Sequence, residues 1–470
     1  MSTHQSDEFD LIVLGGGPAG EHALGRASKA GLDTALVEQE LIGGECSYWA
    51  CMPSKTLLRP GQVLEAARHA PGASEAVTGR LDAAAAMKRR DWMVSDWNDD
   101  GQVKWVESTG GHVVRGHGRI SGVRTVQVSG AAKERTLLAR KAVLVATGSS
   151  AAIPPIPGLA ETRHWDNRQI TAAHEVPGRL AVIGGGVVGV EMAQAWRRLG
   201  AREVTIVESG ERLLAQAEPF AGELLAKVFD EEGIDVVTGT GVGMVTRANE
   251  SAPAELTLED GRTIVADELL VATGRRPRTV DIGLDTLGLT PGRYLEVDAQ
   301  MCVRDVTGGW LYAIGDANGI ALLTHMGKYQ ARIALDAIAG SAARRPYDGE
   351  VAVPSVIFTD PQIASVGLTE QAARARGIDV VTATVGTDSV AASSVLGDNT
   401  RGTCKVVADR AGGFIVGATF TGPEIAELLH SATIAIIGRV PVDLLRHAVP
   451  SFPTLSEVWL ELIDTLVTAI

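Results

Sequence analysis

One pattern occurs twice and limits the fold more than anything else in the chain. Residues 9–15, FDLIVLG, form an apolar run that ends in glycine, and residues 179–184, RLAVIG, do the same. Each continues into a Gly-rich turn and an Ala-containing, helix-favouring stretch. Each stretch leads to a second apolar run closed by an acid, TALVE at 34–38 and VTIVE at 204–208. This is strand–turn–helix–strand, twice, and it reads as an internal duplication of a βαβ unit. VLVATGSS (143–150) and LLVATGRRP (269–277) close the two halves, and Pro154, Pro155, Pro157 and Gly158 mark a linker. A third apolar run, WLYAIGDANG (310–319), again enters Gly-Asp. From about residue 350 the texture changes to short alternating runs followed by helix-like pieces, which predicts an antiparallel α+β domain. The stretch LDAAAAMKRR (81–90) reads as a solvent-faced helix.

The glycines of each turn have separate tasks. In GGGPAG, Gly15, Gly17 and Gly20 fill the G-x-G-x-x-G positions. They permit a tight turn, close approach of a pyrophosphate, and close helix–strand packing, with the helix N-terminus facing the phosphates. Glu38 ends the next strand, where an acid accepts hydrogen bonds from ribose hydroxyls. Gly184, Gly186 and Gly189 repeat the arrangement, with Glu208 as the acid. An acid there repels a 2′-phosphate, so NAD is favoured; nearby Arg212 keeps NADP open.

Cys46 and Cys51 are five residues apart in CSYWAC. A regular helix would hold their Cα atoms at roughly 8–9 Å, and a disulfide needs about 4.4–6.8 Å. The pair must therefore span an irregular turn at a helix start, which Gly43 and Gly44 allow. A helix N-terminus also favours a reactive thiolate. So small a loop contributes only about 2 kcal/mol of chain-entropy stabilisation, a weak reason for a structural staple. A redox disulfide is the leading reading; unrelated buried thiols and a metal-binding pair are the competitors. Cys302 and Cys404 read as small buried residues.

Composition narrows the function classes. At about 150 residues per domain, 470 residues suggest roughly three domains. A formal net charge of -14, from 43 Lys+Arg against 57 Asp+Glu, disfavours nucleic acid and anionic membrane as partners. The start, MSTHQSDEFD, lacks an apolar signal core, no run reaches the ~20 apolar residues of a spanning helix, and four Cys form no secreted disulfide framework. A cytoplasmic location is expected.

Taken together, GGGPAG, GGECSYWACMPSK (43–55), GGGVVGVE (184–191), both ATG segments, AIGDA and PTLSE (453–457) resemble the flavoprotein disulfide reductases. That family includes dihydrolipoamide dehydrogenase, glutathione reductase and mercuric reductase. The resemblance implies two Rossmann-like doubly wound nucleotide domains plus a C-terminal α+β dimerisation domain. The divisions expected are 1–155 with 280–348 for FAD, 156–279 for NAD(P) and 349–470 for the interface. It implies FAD on the first fingerprint, with Asp316 holding its ribityl region, and nicotinamide on the second; Gly44, Thr147, Gly148 and Gly274 are further cofactor-binding candidates. Cys51 becomes the thiol nearer the flavin and Cys46 the interchange thiol. Lys55 and Glu191 become an ion pair beside the flavin N5; a solvated lysine is the plainer reading of Lys55. His325, where relatives often carry Pro, becomes a candidate for flavin protonation. A homodimer is implied, each C-terminal segment completing the other subunit's site, with a disulfide, metal ion or quinone as small-molecule acceptor.

One departure matters more than these matches. The family usually carries His-Pro-T-x-x-Glu near the C-terminus, the Glu orienting a His that is the thiol acid/base. Here Glu457 is present but Phe452 stands at the His position. Phenylalanine moves no proton, and losing a general acid/base costs on the order of 10²–10⁴ in rate. Mercuric reductases have Tyr there and a ketopropyl-coenzyme M carboxylase has Phe, although this chain lacks the C-terminal Cys pair of mercuric reductases. His447 reads as a surface or packing histidine. Tyr48 and Ala50 stand where the family usually has Asn and Gly. A flavin-bound redox sensor of low turnover is the reading from another class.

Overall fold

The computed structural model describes residues 7–130, 134–341, 352–398 and 400–470. The polar start and the expected boundary at 348/349 lie outside these described residues. The chain forms two compact units. The first comprises Met1–Pro53, Arg90–Ala152 and Arg275–Glu350, and the second Ser54–Arg89, Ile153–Gly274 and Val351–Ile470.

The first unit is built on a twisted sheet in the order His112–Arg115, Thr34–Glu38, Asp7–Leu14, Arg135–Val145, Thr125–Ser129, His117–Gly122, with Leu311–Ala313 also pairing to Arg135–Val145. The strands from His112–Arg115 to Arg135–Val145, and Leu311–Ala313, run parallel; the last two are antiparallel. Leu11, Val13, Leu36 and Leu144 fill one face against the helices Pro18–Lys29 and Thr324–Ile338. Ile12, Leu14, Val37 and Val143 fill the other. Burial on both faces is the reason these strands read as unbroken apolar runs.

The second unit repeats the motif with Ile234–Thr238, Glu203–Glu208, Arg179–Ile183 and Glu268–Val271, all parallel. An antiparallel layer, Val242–Arg247, Ala254–Leu258 and Thr263–Ala266, covers one face. The C-terminal part is the expected antiparallel sheet, in the order Ser355–Ile357, Gln362–Gly367, Phe414–Gly422, Thr403–Asp409, Val380–Gly386. It packs on the helices Leu429–Ile437 and Val458–Ala469 through Phe420, Ala432 and Leu462.

Two expectations need correction. The 81–90 stretch lies mainly in the helix Ala83–Met93, which is not simply solvent-faced. Ala86, Met87 and Arg90 are buried on one side, and Ala86 and Met87 join the Trp196 core. Cys404 is buried as expected, but Cys302 is only partly so. Burial raises the pKa of both thiols.

Candidate active site

The two fingerprints superpose in their physics. Gly15 has φ +102° and Gly184 φ +110°, and a Cβ on either would collide with the carbonyl of Ala146 or Ala272. A Cβ on Gly20 or Gly189 would strike the carbonyl of Gly15 or Gly184, which is where the helix lies on its own turn. Gly17 and Gly186 have nothing within 4 Å of an added Cβ, so the middle glycines open onto space at the helix N-termini. Glu38 accepts from Gly16 N at 2.6 Å and Glu40 N at 2.7 Å. Glu208 accepts from Gly185 N and Gly210 N, both at 2.7 Å. Arg212 is engaged by its own backbone segment. Its guanidinium donates to the carbonyls of Leu214, Ala215 and Ala217 at 3.0, 2.8 and 3.1 Å.

The first unit has open space and an orphaned polar atom near its glycine turn. Beside the open space at Gly17, Gly44 has φ +54° and its missing Cβ would lie 2.8 Å from Gly17 Cα, so the redox segment abuts the phosphate turn. Thr147 Oγ1 is buried with no partner, and Gly148 faces open space. Orphaned hydroxyls are rare in folded proteins, and a ligand atom is one way to satisfy this one. Asp316 accepts from Ser149 Oγ, and Arg275 Nε donates to the same hydroxyl at 2.6 Å. Gly274, with φ +136°, also opens onto space, in the second unit.

The redox segment breaks between its cysteines. Cys46 lies in the short helix Gly44–Tyr48, Trp49 leaves helical geometry at φ −139°, and Cys51 begins the helix Cys51–His69. This is the irregular turn that helix geometry demanded. The two sulfurs are unbonded thiols hydrogen-bonded to one another. Cys51 Sγ also meets Thr324 Oγ1 at 3.5 Å. The bond to Cys51 pushes the Cys46 pKa far up, and burial adds to the shift. Cys46 therefore holds its proton more tightly than an ordinary thiol. Tyr48, the unusual residue of the motif, is a buried anchor. Its hydroxyl donates to the carbonyls of Ile42 at 3.2 Å and Asn98 at 3.4 Å. Burial pushes its phenol up to about 12. A Cβ on Gly43 would meet the Tyr48 ring at 2.8 Å, so Gly43 is the partner of that tyrosine.

In the second unit Lys55 Nζ pairs with Glu191 Oε2 at 2.7 Å. Glu191 is only 2% exposed, and its other oxygen accepts the Phe358 N–H at 2.9 Å. His325 is in the first turn of the helix Thr324–Ile338, next to the Thr324 that meets Cys51. Phe452 is 76% exposed and His447 is exposed. Glu457 is partly buried, with Oε2 unpartnered. These three belong to the second unit and the cysteines to the first. Reading the sequence missed Thr324 and Phe358. Neither carries a local signal, since their contacts span 273 and 167 residues of chain. Among the described residues, no three His, Cys, Asp or Glu side chains gather as a metal site, and no helix is long and apolar enough to cross a membrane.

A doubled nucleotide fold, a paired-cysteine turn against the first phosphate loop and a C-terminal antiparallel domain define a two-nucleotide flavoprotein reductase. Comparison with known proteins agrees. The sequence profile described as "Pyridine nucleotide-disulphide oxidoreductase" matches residues 9–334, and the dimerisation-domain profile of the same family matches residues 353–463. The chain belongs to the pyridine nucleotide-disulphide oxidoreductase family and is a dihydrolipoyl dehydrogenase-like enzyme with a Cys46–Cys51 pair. It is 30% identical to the mercuric reductase of Staphylococcus aureus over 97% of its length and 82% of that protein. It is 34% identical to the dihydrolipoyl dehydrogenase of Chlorobaculum tepidum over 96% and 95%. Among solved structures, LpdA from Mycobacterium tuberculosis matches with TM-score 0.85 and 27% identity, over 98% of this chain and 99% of that one. The family implies FAD and NAD(P)H as cofactors, and the dimerisation domain suggests a homodimer.

Proposed function

We propose that this homodimeric flavoprotein takes electrons from NADH and delivers them, through Cys46 and Cys51, to a soft metal ion rather than to an ordinary disulfide. The observation that carries this reading is Phe452 where the family's histidine would stand, in a chain whose partly buried Cys46 has its pKa raised by the neighbouring Cys51 sulfur. An attacking thiol must shed its proton and regain it later, and Phe452 can do neither. A soft metal ion displaces both thiol protons as it binds, so its capture needs no base. The mercuric reductases among the relatives act in name on such an ion.

Bound FAD would supply the step between nicotinamide hydride and the sulfur pair. Gly15, Gly17, Gly20, Glu38, Gly44, Thr147, Gly148 and Asp316 would hold it; Gly274 of the second ATG segment remains a cofactor-binding candidate. Lys55, fixed by Glu191, would hold positive charge for the flavin edge, and His325 is a candidate proton donor there. Gly184, Gly186, Gly189 and Glu208 would hold the nicotinamide dinucleotide. Occupation of Arg212 by backbone carbonyls supports NADH over NADPH. Exposed Val449 and Phe452, at 80% and 76%, suit a segment covered by a second subunit. Glu457 would keep its place without the histidine it orients in relatives.

The test is an anaerobic NADH titration followed by an acceptor screen. Two-electron reduction is expected to produce a long-wavelength charge-transfer band. Turnover with Hg²⁺ or Cu²⁺ is then expected to exceed that with lipoamide by at least roughly 10²-fold. Lipoamide turnover equal to or above the metal rates would overturn the reading, and so would turnover with quinones alone.

A further inference from the structure

Lys55 is held by more than its carboxylate. Its Nζ lies 5.1 Å from the centroid of the Phe358 ring, over the face. Glu191 receives Lys55 on Oε2 at 2.7 Å and the Phe358 backbone N–H on Oε1 at 2.9 Å. The three residues close a circuit: ammonium on carboxylate, carboxylate on amide, ammonium on aromatic face. Phe358 directly follows the strand Ser355–Ile357, so it is supplied by the dimerisation domain and not by the nucleotide fold.

The backbone at Phe358 is pinned without help from the ring. Its carbonyl accepts Gln62 Nε2 at 2.8 Å. Two residues on, Asp360 and Gln194 exchange two bonds, N–H to Oε1 and Nε2 to carbonyl, both at 2.8 Å. Arg198 reaches the Asp360 carboxylate at 3.0 Å. Glu191, Gln194 and Arg198 all lie on the helix Val187–Leu199, and Gln194 is fully buried. None of these bonds requires an aromatic side chain. A leucine or methionine would keep them and keep apolar packing against the Trp196 core that Phe358 touches. What those residues lack is the negative π face that attracts a cation.

That face matters because a lysine is a point charge on a flexible stem with three rotatable donors. One carboxylate restrains one donor, and the Lys55 side chain is still 34% exposed. We propose that Phe358 is a positioning residue of this enzyme: its ring fixes the Lys55 ammonium in one place. The inference rests on the reading of Lys55 as the lysine at the flavin edge.

The test uses the FAD-loaded dimer with Phe358→Leu, Phe358→Met, Phe358→Tyr and Lys55→Met. The readouts are the midpoint potential of bound flavin by dye equilibration, its visible spectrum, the rate of flavin reduction by NADH, and the melting temperature. Leu and Met are expected to lower the potential in the same direction as Lys55→Met but by less. They should slow flavin reduction roughly three- to tenfold, with Tyr within about twofold of the parent. Potentials and rates for Leu and Met that match the parent, while Lys55→Met shifts both, would overturn the role of Phe358 alone. A shift in Leu that tracks a lost melting temperature and is absent in Met would also overturn it, as packing. If Lys55→Met changes neither readout, the reading of Lys55 itself falls, and this inference with it.

Discussion

The two nucleotide-binding turns have the same grip and different cargo. At the glycines they are interchangeable: a strained first position, an open second, a helix-packing third, and an acid that caps the turn from the next strand. One helical turn further in they diverge. The first helix continues with Glu21 and His22, the second with Val190 and Glu191. Glu21 is a carboxyl whose pKa burial raises to about 7, with the Lys328 charge opposing, and His22 is a partly buried imidazole whose pKa desolvation lowers. Val190 is simple core, and Glu191 is the buried anchor of Lys55 and Phe358. The duplication thus preserved what holds a dinucleotide and left free what surrounds it. The first turn also gained the Gly43–Gly44 abutment that brings a cysteine pair to it.

The sharpest way to break the likeness is to fill the open space at each middle glycine. Gly17→Val should yield colourless protein that does not retain added FAD, with activity lost. Gly186→Val should stay yellow, with apparent affinity for NADH weakened roughly 10²-fold, near 2.7 kcal/mol. Equal flavin content and equal NADH affinity in both would show that the two turns are not divided between the two nucleotides. Next in size is Phe452→His, expected to raise lipoamide turnover on the order of 10²–10⁴-fold. The parent's rate with disulfides should climb with pH through the alkaline range, because raised Cys46 must first lose its proton. The histidine variant should level off nearer neutrality, and identical pH profiles would separate the missing base from the rate. Glu208→Ala should then narrow the preference for NADH over NADPH by roughly tenfold, while the matching Glu38→Ala leaves that ratio alone.

The smallest effect concerns stability. Glu21 has a folded pKa near 7, above its ordinary 4.5. Its contribution is therefore fully present below about pH 4.5 and is lost as pH rises through 7. Glu21→Gln should raise the melting temperature at pH 8, by up to about 3 kcal/mol of stability, and change little at pH 4. An equal effect at both pH values would assign the gain to packing. The same change at Val190 has no such titration to remove.

Much of this was legible in the order of residues. The doubled turn, the strands that buried parallel sheets require, the antiparallel character of the C-terminal part and the break between Cys46 and Cys51 all follow from local spacing. Other parts were not. Residues 81–90 read as solvent-faced because the patch is of low complexity, an alanine run followed by basic residues, and the packing of Ala86 and Met87 on Trp196 has no local trace. Tyr48 stood out as unusual in its motif, but its function as an anchor needed the carbonyl of Asn98, 50 residues away. Lys55 and Glu191 could be paired beforehand only through resemblance, and Phe358 not at all.

The sequence by itself determined the nucleotide turns, because a tight turn and a close backbone approach are demands on one or two residues and glycine meets them wherever it stands. It also determined the absence of an imidazole at position 452. Tertiary structure alone decided that the Cys46 thiol is pushed up, which carboxyl is driven toward neutrality by burial, and which ring lies under Lys55. Those properties belong to no single residue: they arise from desolvation and from contacts between segments that only packing brings within a few ångströms.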